Sequence, residues 1–232
     1  MTKGESAWEI FDEDARFAGM KYGPQRVRMV VVGLGPGELL VVSPGMPQGD
    51  GFRALLSRWG TPTFLLAPNH FHNSGLAFWK KEFPDAKVVA HARAQKRLRR
   101  KVSDVPIDDL SLLEAALPEG VRIFSPPMAK QGETFVSVRT REGRAWFVTD
   151  AMVNETKLPG GPLGLFMKIL GFREKLMTNP FFKRLFLKDL AGYKAWISAE
   201  IANEEPCLFV PSHGAPLRGP DVTQQLREAA TA

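Results

Sequence analysis

The sequence predicts an α/β fold, and three observations carry that reading. Short apolar runs of strand length alternate with stretches whose apolar residues recur at helical spacing. Gly, Pro, Asn and Ser clusters punctuate the chain at each change of pattern. Histidines and an aspartate stand immediately past strand ends, in the loop layer where sites are built. At 232 residues the chain is long enough for a substantial core, and its 44% hydrophobic and 24% charged residues are ordinary for a globular protein.

In chain order, residues 1–23 read as a polar N-terminal arm with a weak amphipathic turn around Trp8, Ile10 and Phe11. Residues 24–232 read as a single domain with a helical insertion at about 155–203. Its first strand, Arg26 to Val32, turns through Gly33-Leu34-Gly35-Pro36-Gly37 into a second, Glu38 to Val42. The glycine spacing resembles a phosphate loop, but a β-branched run follows where that motif needs a helix, so the pair predicts a hairpin. Gly51 to Trp59 has helical spacing, and Thr63 to Ala67 is a buried strand stopped by Pro68-Asn69. An amphipathic helix around Leu76, Phe78, Trp79 and Phe83 leads to the strand Lys87 to Ala90. A basic helix, Ala92 to Lys101, and a short one, Leu112 to Leu117, follow. Val121 to Phe124, Thr134 to Thr140 and Ala145 to Thr149 are further strands. Pro159-Gly160-Gly161-Pro162 opens a Leu-, Phe- and Met-rich helical stretch that Asn179-Pro180 divides. A helix from about Phe181 to Asn203, a strand Cys207 to Val210 and a C-terminal helix end the chain.

Composition excludes several classes. The single cysteine, Cys207, rules out an internal disulfide framework and a thiolate zinc site, and it reads as core. The polar start lacks an apolar signal region and no run approaches the ~20 apolar residues of a span, so a cytoplasmic protein is expected. Net charge is +6. The basic residues from Arg93 to Lys101 lack interleaved aromatics, so nucleic acid is not an expected partner.

The candidate site begins at Pro68-Asn69-His70-Phe71-His72. Side chains at i and i+2 of an extended segment fall on one side, so two imidazoles could converge on a metal ion. Asp150 and His213 stand past two other strand ends. Imidazoles and a carboxylate suit zinc, with iron or manganese as alternatives. His91, also at a strand end, could swing in as a substitute ligand but reads as a residue that packs or caps the strand end.

These residues resemble the signature of the metallo-β-lactamase superfamily. His70 and His72 match the first two histidines of its His-x-His-x-Asp-His motif. Thr149-Asp150 stands where that family has Gly-Asp, and Ser212-His213-Gly214 matches its late histidine loop. Ser43-Pro44-Gly45 stands where the family has Asp-x-Gly after an apolar strand. The resemblance runs from about Val27 to Pro216 and implies a four-layer αβ/βα sandwich with metal ligands along one edge. Ser74 and Gly75 replace the signature's Asp and second-site His, and Ala129 falls where a third His belongs. Together with Ser43-Pro44 and Pro68-Asn69, these departures resemble a divergent branch known mainly as a domain of unknown function.

The resemblance implies His70, His72, Asp150 and His213 as metal ligands, with Asp150 and His213 doubling as catalytic groups. The expected activity is metal-dependent hydrolysis of a small ester, thioester or phosphodiester at a reduced site. The alternative is a metal-free binding or interaction member whose site has decayed. The apolar insertion would act as a lid or pocket wall favouring an apolar or acyl-type substrate. Its basic amphipathic helices are expected to bury their apolar faces within the protein or in a homodimer contact, and not on a membrane surface.

Overall fold

The computed structural model describes residues 8–24, 26–47, 49 and 51–232. The described residues fall into two compact units, one within residues 8–122 with 138–141 and one of residues 123–137 with 142–232.

The first unit is built on a seven-stranded sheet whose strands follow chain order: β1 (Glu9–Asp12), β2 (Phe17–Tyr22), β3 (Val27–Gly35), β4 (Glu38–Val42), β5 (Thr61–Ala67), β6 (Lys87–Ala90) and β7 (Asp108–Asp109). The first four form an antiparallel meander, and β4 to β7 run parallel. Parallel neighbours need crossovers, which α1 (Gly51–Trp59), α2 (Leu76–Glu82) and α3 (Ala92–Lys101) supply. The helices bring Phe52, Leu55, Leu56, Trp59, Leu76, Trp79, Ala94 and Leu98 onto a sheet face carrying Leu39, Val41, Leu65, Ala67, Val88 and Ala90. Alternate residues Leu40, Val42, Leu66 and Val89 are buried as well, which is why these strands read as unbroken apolar runs. The predicted hairpin is present, with an irregularity between Gly33 and Gly35 and Gly37 at φ +73°. A short helix, α4 (Leu110–Glu114), starts two residues earlier than its apolar pattern suggests, because Asp109 caps it by accepting from Ser111 N at 3.1 Å.

The N-terminal stretch departs from expectation. Residues 1–7 lie outside the described residues, but β1 and β2 occupy most of what reads as a polar arm. The acidic residues that make it look like an arm are partnered. Glu9 pairs with the buried Arg28 at 3.3 Å, and the buried Asp12 accepts from Ala15 N at 2.8 Å and from Arg141 N at 3.0 Å.

The second unit centres on a five-stranded sheet that joins β8 (Val121–Phe124), β9 (Phe135–Thr140), β10 (Gly143–Val148), β13 (Leu208–Pro211) and β14 (Leu217–Arg218), in the order β14-β13-β10-β9-β8. A two-stranded ribbon pairs β11 (Met152–Asn154) with β12 (Leu176–Thr178). Around them lie α5 (Gly161–Ile169), a π-helical turn (Phe182–Phe186), α6 (Leu190–Glu204) and α7 (Val222–Thr231). Trp146, Phe135, Phe209, Tyr193, Ile197, Ile201 and Leu226 form its core. The expected continuous helix from Phe181 is broken at Leu187–Asp189, where Asp189 accepts from Gly192 N at 2.9 Å and starts α6 afresh. β12, hidden in a stretch of helical composition, is a strand because its partner β11 supplies the ladder. Cys207 is half-buried instead of core. Its thiol donates to the Glu142 carbonyl at 3.2 Å, and burial pushes its pKa up, away from a reactive thiolate.

Candidate functional site

In the second unit, topology brings Asp150 and His213 together. β10 and β13 are parallel neighbours in register from Ala145 with Leu208 to Val148 with Pro211. Both strands therefore run out at the same sheet edge, and Thr149-Asp150 and Ser212-His213 are the first residues beyond it. The Asp150 Oδ1 to His213 Nε2 distance is 3.3 Å, with both side chains partly exposed. Further bonds tie the two turns: Ser212 N donates to Val148 O at 2.8 Å, and Asn154 N donates to His213 O at 3.2 Å. Gly214, at φ +103°, passes so close to Asn154 that a Cβ would lie 1.9 Å from the Asn154 oxygen, so only glycine fits there.

A residue that sequence reasoning missed fixes the Asp150 turn. Glu133 is fully buried, and its Oε1 accepts from Thr149 Oγ1 at 2.7 Å, Asp150 N at 2.8 Å and Ala151 N at 3.1 Å. Gln131 Nε2 donates to its other oxygen at 3.2 Å. A buried carboxylate is costly unless saturated with donors, and these four provide that saturation. Its only sequence signal is an acid, Glu133, directly ahead of the half-buried strand β9.

In the first unit, the two histidines of the Pro68-Asn69 turn part company. The expected same-side arrangement requires extended backbone, whereas Asn69 Oδ1 accepts from Phe71 N at 2.8 Å and His72 N at 3.2 Å and curls the segment. His70 Nε2 consequently accepts from the Arg97 guanidinium at 2.9 Å on α3. That bond occupies the lone pair a metal would use. His72 turns instead to Ser43, with Nδ1 2.7 Å from the hydroxyl, and the Tyr22 hydroxyl lies 3.2 Å from the same oxygen. Ser43 is buried and held at φ +58°, an uncommon conformation for a non-glycine residue. The His72 imidazole thus has one nitrogen anchored by a hydroxyl, the arrangement that orients a histidine ligand and sets its tautomer.

The structure also accounts for one departure from the signature that the sequence resembles. A Cβ on Gly75 would lie 2.4 Å from the Gly45 carbonyl carbon and oxygen, and Gly75 N donates to Pro44 O at 2.9 Å. No side chain, and so no histidine, fits at that position. In the second unit, Ala129 is buried and bridges Leu187 in backbone pairing. His91 caps α3: its Nδ1 accepts from Arg93 N at 3.1 Å, and burial holds its pKa below the usual imidazole value.

No family model matches the chain, and no curated protein matches it by sequence. Solved structures do match in fold. A metallo-β-lactamase from Erythrobacter litoralis, with β-mercaptoethanol in its active site, superposes with a TM-score of 0.63 at 12% identity, covering 100% of this chain and 98% of that one. The metallo-β-lactamase DIM-1 gives 0.58 at 11% identity over 97% of both chains. The metal-soaked flavodiiron core of Flv1 from Synechocystis sp. PCC6803 gives 0.61 at 12% identity over 97% of this chain and 60% of its own. The chain is an α/β protein with the αβ/βα fold of the metallo-β-lactamases, as its sequence predicts.

Proposed function

We propose that this protein is a metal-dependent hydrolase with a single, reduced metal site in which Asp150, His213 and His72 supply the protein ligands. The observation that carries the reading is the 3.3 Å separation of Asp150 Oδ1 and His213 Nε2. Two donors on one tetrahedral ion, each at ~2.0–2.1 Å, stand roughly 3.3–3.4 Å apart. Two imidazoles and a carboxylate are a His, His, Asp donor set suited to zinc, iron or manganese. Ser43 supports the assignment of His72, since a hydroxyl on Nδ1 fixes the orientation of the ring. His70, committed to Arg97, is left out of the set.

A divalent ion held there would supply a Lewis acid that polarises an ester, thioester or phosphodiester oxygen and lowers the pKa of a water toward ~7. The protein's part is orientation. Glu133 locks the Asp150 turn, Asn154 locks the His213 turn, and Ser43 sets the rotation of His72. Ser74 stands where the resembling signature has an aspartate, so slow turnover is expected. The resemblance points to an apolar or acyl-type small substrate, and a single cysteine suits a cytoplasmic location.

The second reading, a non-catalytic member with a decayed site, is favoured by Gly75 and Ala129, which remove two ligand positions. Metal content of the full chain, purified without added metal and then exposed to zinc, iron or manganese, separates the two. The hydrolase reading expects about one ion per chain. Asp150→Ala and His213→Ala should each lose the ion together with hydrolysis of model esters and thioesters. Uptake below about 0.2 per chain with every metal would leave the decayed-site reading.

A further inference from the structure

We infer that the second unit carries a peripheral docking surface for anionic membranes, formed by α5 and the π-helical turn. This goes beyond the proposed hydrolysis and stands independently of any metal. The expectation for this stretch is an apolar face buried within the protein or in a homodimer contact; within one chain Phe172 and Phe182 are buried while part of the face lies open. Leu163, Leu165, Phe166, Ile169, Phe181 and Leu185 are between 41% and 72% exposed. On α5, Pro162, Leu165, Phe166 and Ile169 follow the i, i+3, i+4, i+7 pattern of one helix face, and every one of them is exposed. Soluble proteins rarely leave so many large apolar side chains together in water without a use for them.

The patch is firmly mounted. The opposite side of α5 is anchored through Met167 and Leu170 onto Val153, Leu158, Phe172 and Met177. Gly164 is buried against Pro159 so tightly that a Cβ would meet its carbonyl oxygen at 1.7 Å. The rings of Phe172 and Phe181 lie 5.4 Å apart, and Arg184 donates to Leu170 O at 2.5 Å, which ties the π-helical turn to the end of α5. The apolar face is therefore held outward by packing behind it.

Charge identifies the occupant. Between Lys157 and Lys188 lie seven basic residues and one acid, Glu174, so this stretch alone carries +6, as much as the whole chain's net charge. A second copy of the chain would press an equal positive charge against it. A bilayer with anionic headgroups meets both features, taking the apolar side chains into its interface and pairing the lysines with phosphate. No helix among the described residues is long and apolar enough to cross a membrane, so the contact is in the interface plane.

Co-sedimentation of the full chain with vesicles tests this, using phosphatidylcholine alone and phosphatidylcholine mixed with phosphatidylglycerol. Binding is expected to the mixed vesicles and to weaken sharply on the neutral ones and at high salt. The double variant Phe166→Ser/Ile169→Ser should lower partitioning about a hundredfold, each buried side chain being worth roughly tenfold. Lys168→Glu/Lys175→Glu should lower it about tenfold or more. All four positions are exposed, and circular dichroism checks that the variants stay folded. Failure to bind mixed vesicles, or binding that survives both double variants, overturns the inference. So does a solution dimer that Phe166→Ser/Ile169→Ser dissolves while the native chain ignores vesicles.

Discussion

Replacing Gly75 by alanine isolates the contact that closes off the second metal position. The backbone at Gly75 is ordinary, with φ −103°, so alanine adds a steric cost and no conformational strain. Its Cβ would start 2.4 Å from the Gly45 carbonyl and 2.8 Å from the Pro44 oxygen, where carbon contacts settle at about 3.5–4.0 Å. Roughly 1 Å must be found by moving backbone. That backbone is fixed by Gly75 N on Pro44 O at 2.9 Å and by Trp79 Nε1 on Gly45 O at 2.7 Å. Overpacking of this kind costs about 1–3 kcal/mol, and loosening a buried hydrogen bond adds about 1 kcal/mol. A loss of ~2–4 kcal/mol is expected, which for a chain of this size lowers Tm by roughly 5–12 °C. Thermal unfolding followed by circular dichroism reads it. Gly75→His should be at least as damaging and should leave metal uptake no higher than in the native chain. A Gly75→Ala protein melting within about 1 °C of native, or a Gly75→His protein gaining a second ion, would refute the steric reasoning.

Three further outcomes follow from the same geometry. Glu133→Ala should cost about 3–5 kcal/mol in urea unfolding, since it orphans four donors in the core, whereas Glu133→Gln should cost less. Ser43→Ala should weaken metal binding about 10–100-fold in competition with a chelating dye, because it frees the His72 ring without removing it. His91 should make the protein less stable in mild acid. Burial, reinforced by Arg93 and partly offset by Asp109, holds its folded pKa below the ordinary 6.5. The unfolded chain then takes up a proton that the folded one resists, so stability is full above about 6.5 and falls as pH drops below it. His91→Asn keeps a helix cap and should flatten that slope in urea titrations on either side of the transition; an unchanged slope would count against the assignment.

Much of this molecule is legible in its sequence, for reasons that particular residues make plain. β4, β5, β6 and β10 are apolar runs stopped by Pro, Asn, His or Asp, and buried parallel strands show that pattern without help from their neighbours. The convergence of Asp150 and His213 was also within reach, because both follow strands of similar character. What escaped was decided by partners distant in sequence. β1 and β2 look like an arm until Arg28 and Arg141 are seen to take up Glu9 and Asp12. His70 and His72 look equivalent until Arg97 is seen to take the first and Ser43 the second. Glu133 carries no motif, since its role is to receive backbone N–H groups of Asp150 and Ala151. The apolar periodicity of α5 was plain, but periodicity records that a face exists and not whether anything covers it.

X-ray absorption at the metal edge of the full chain, loaded stoichiometrically with zinc, tests the proposed centre most directly. The expected spectrum is that of a four-coordinate ion with two imidazoles in its coordination sphere, unchanged in His70→Ala, whereas His213→Ala no longer holds the ion. A spectrum without imidazole scattering, or one in which His70→Ala removes a ligand and His213→Ala does not, would contradict the ligand set proposed for this fold.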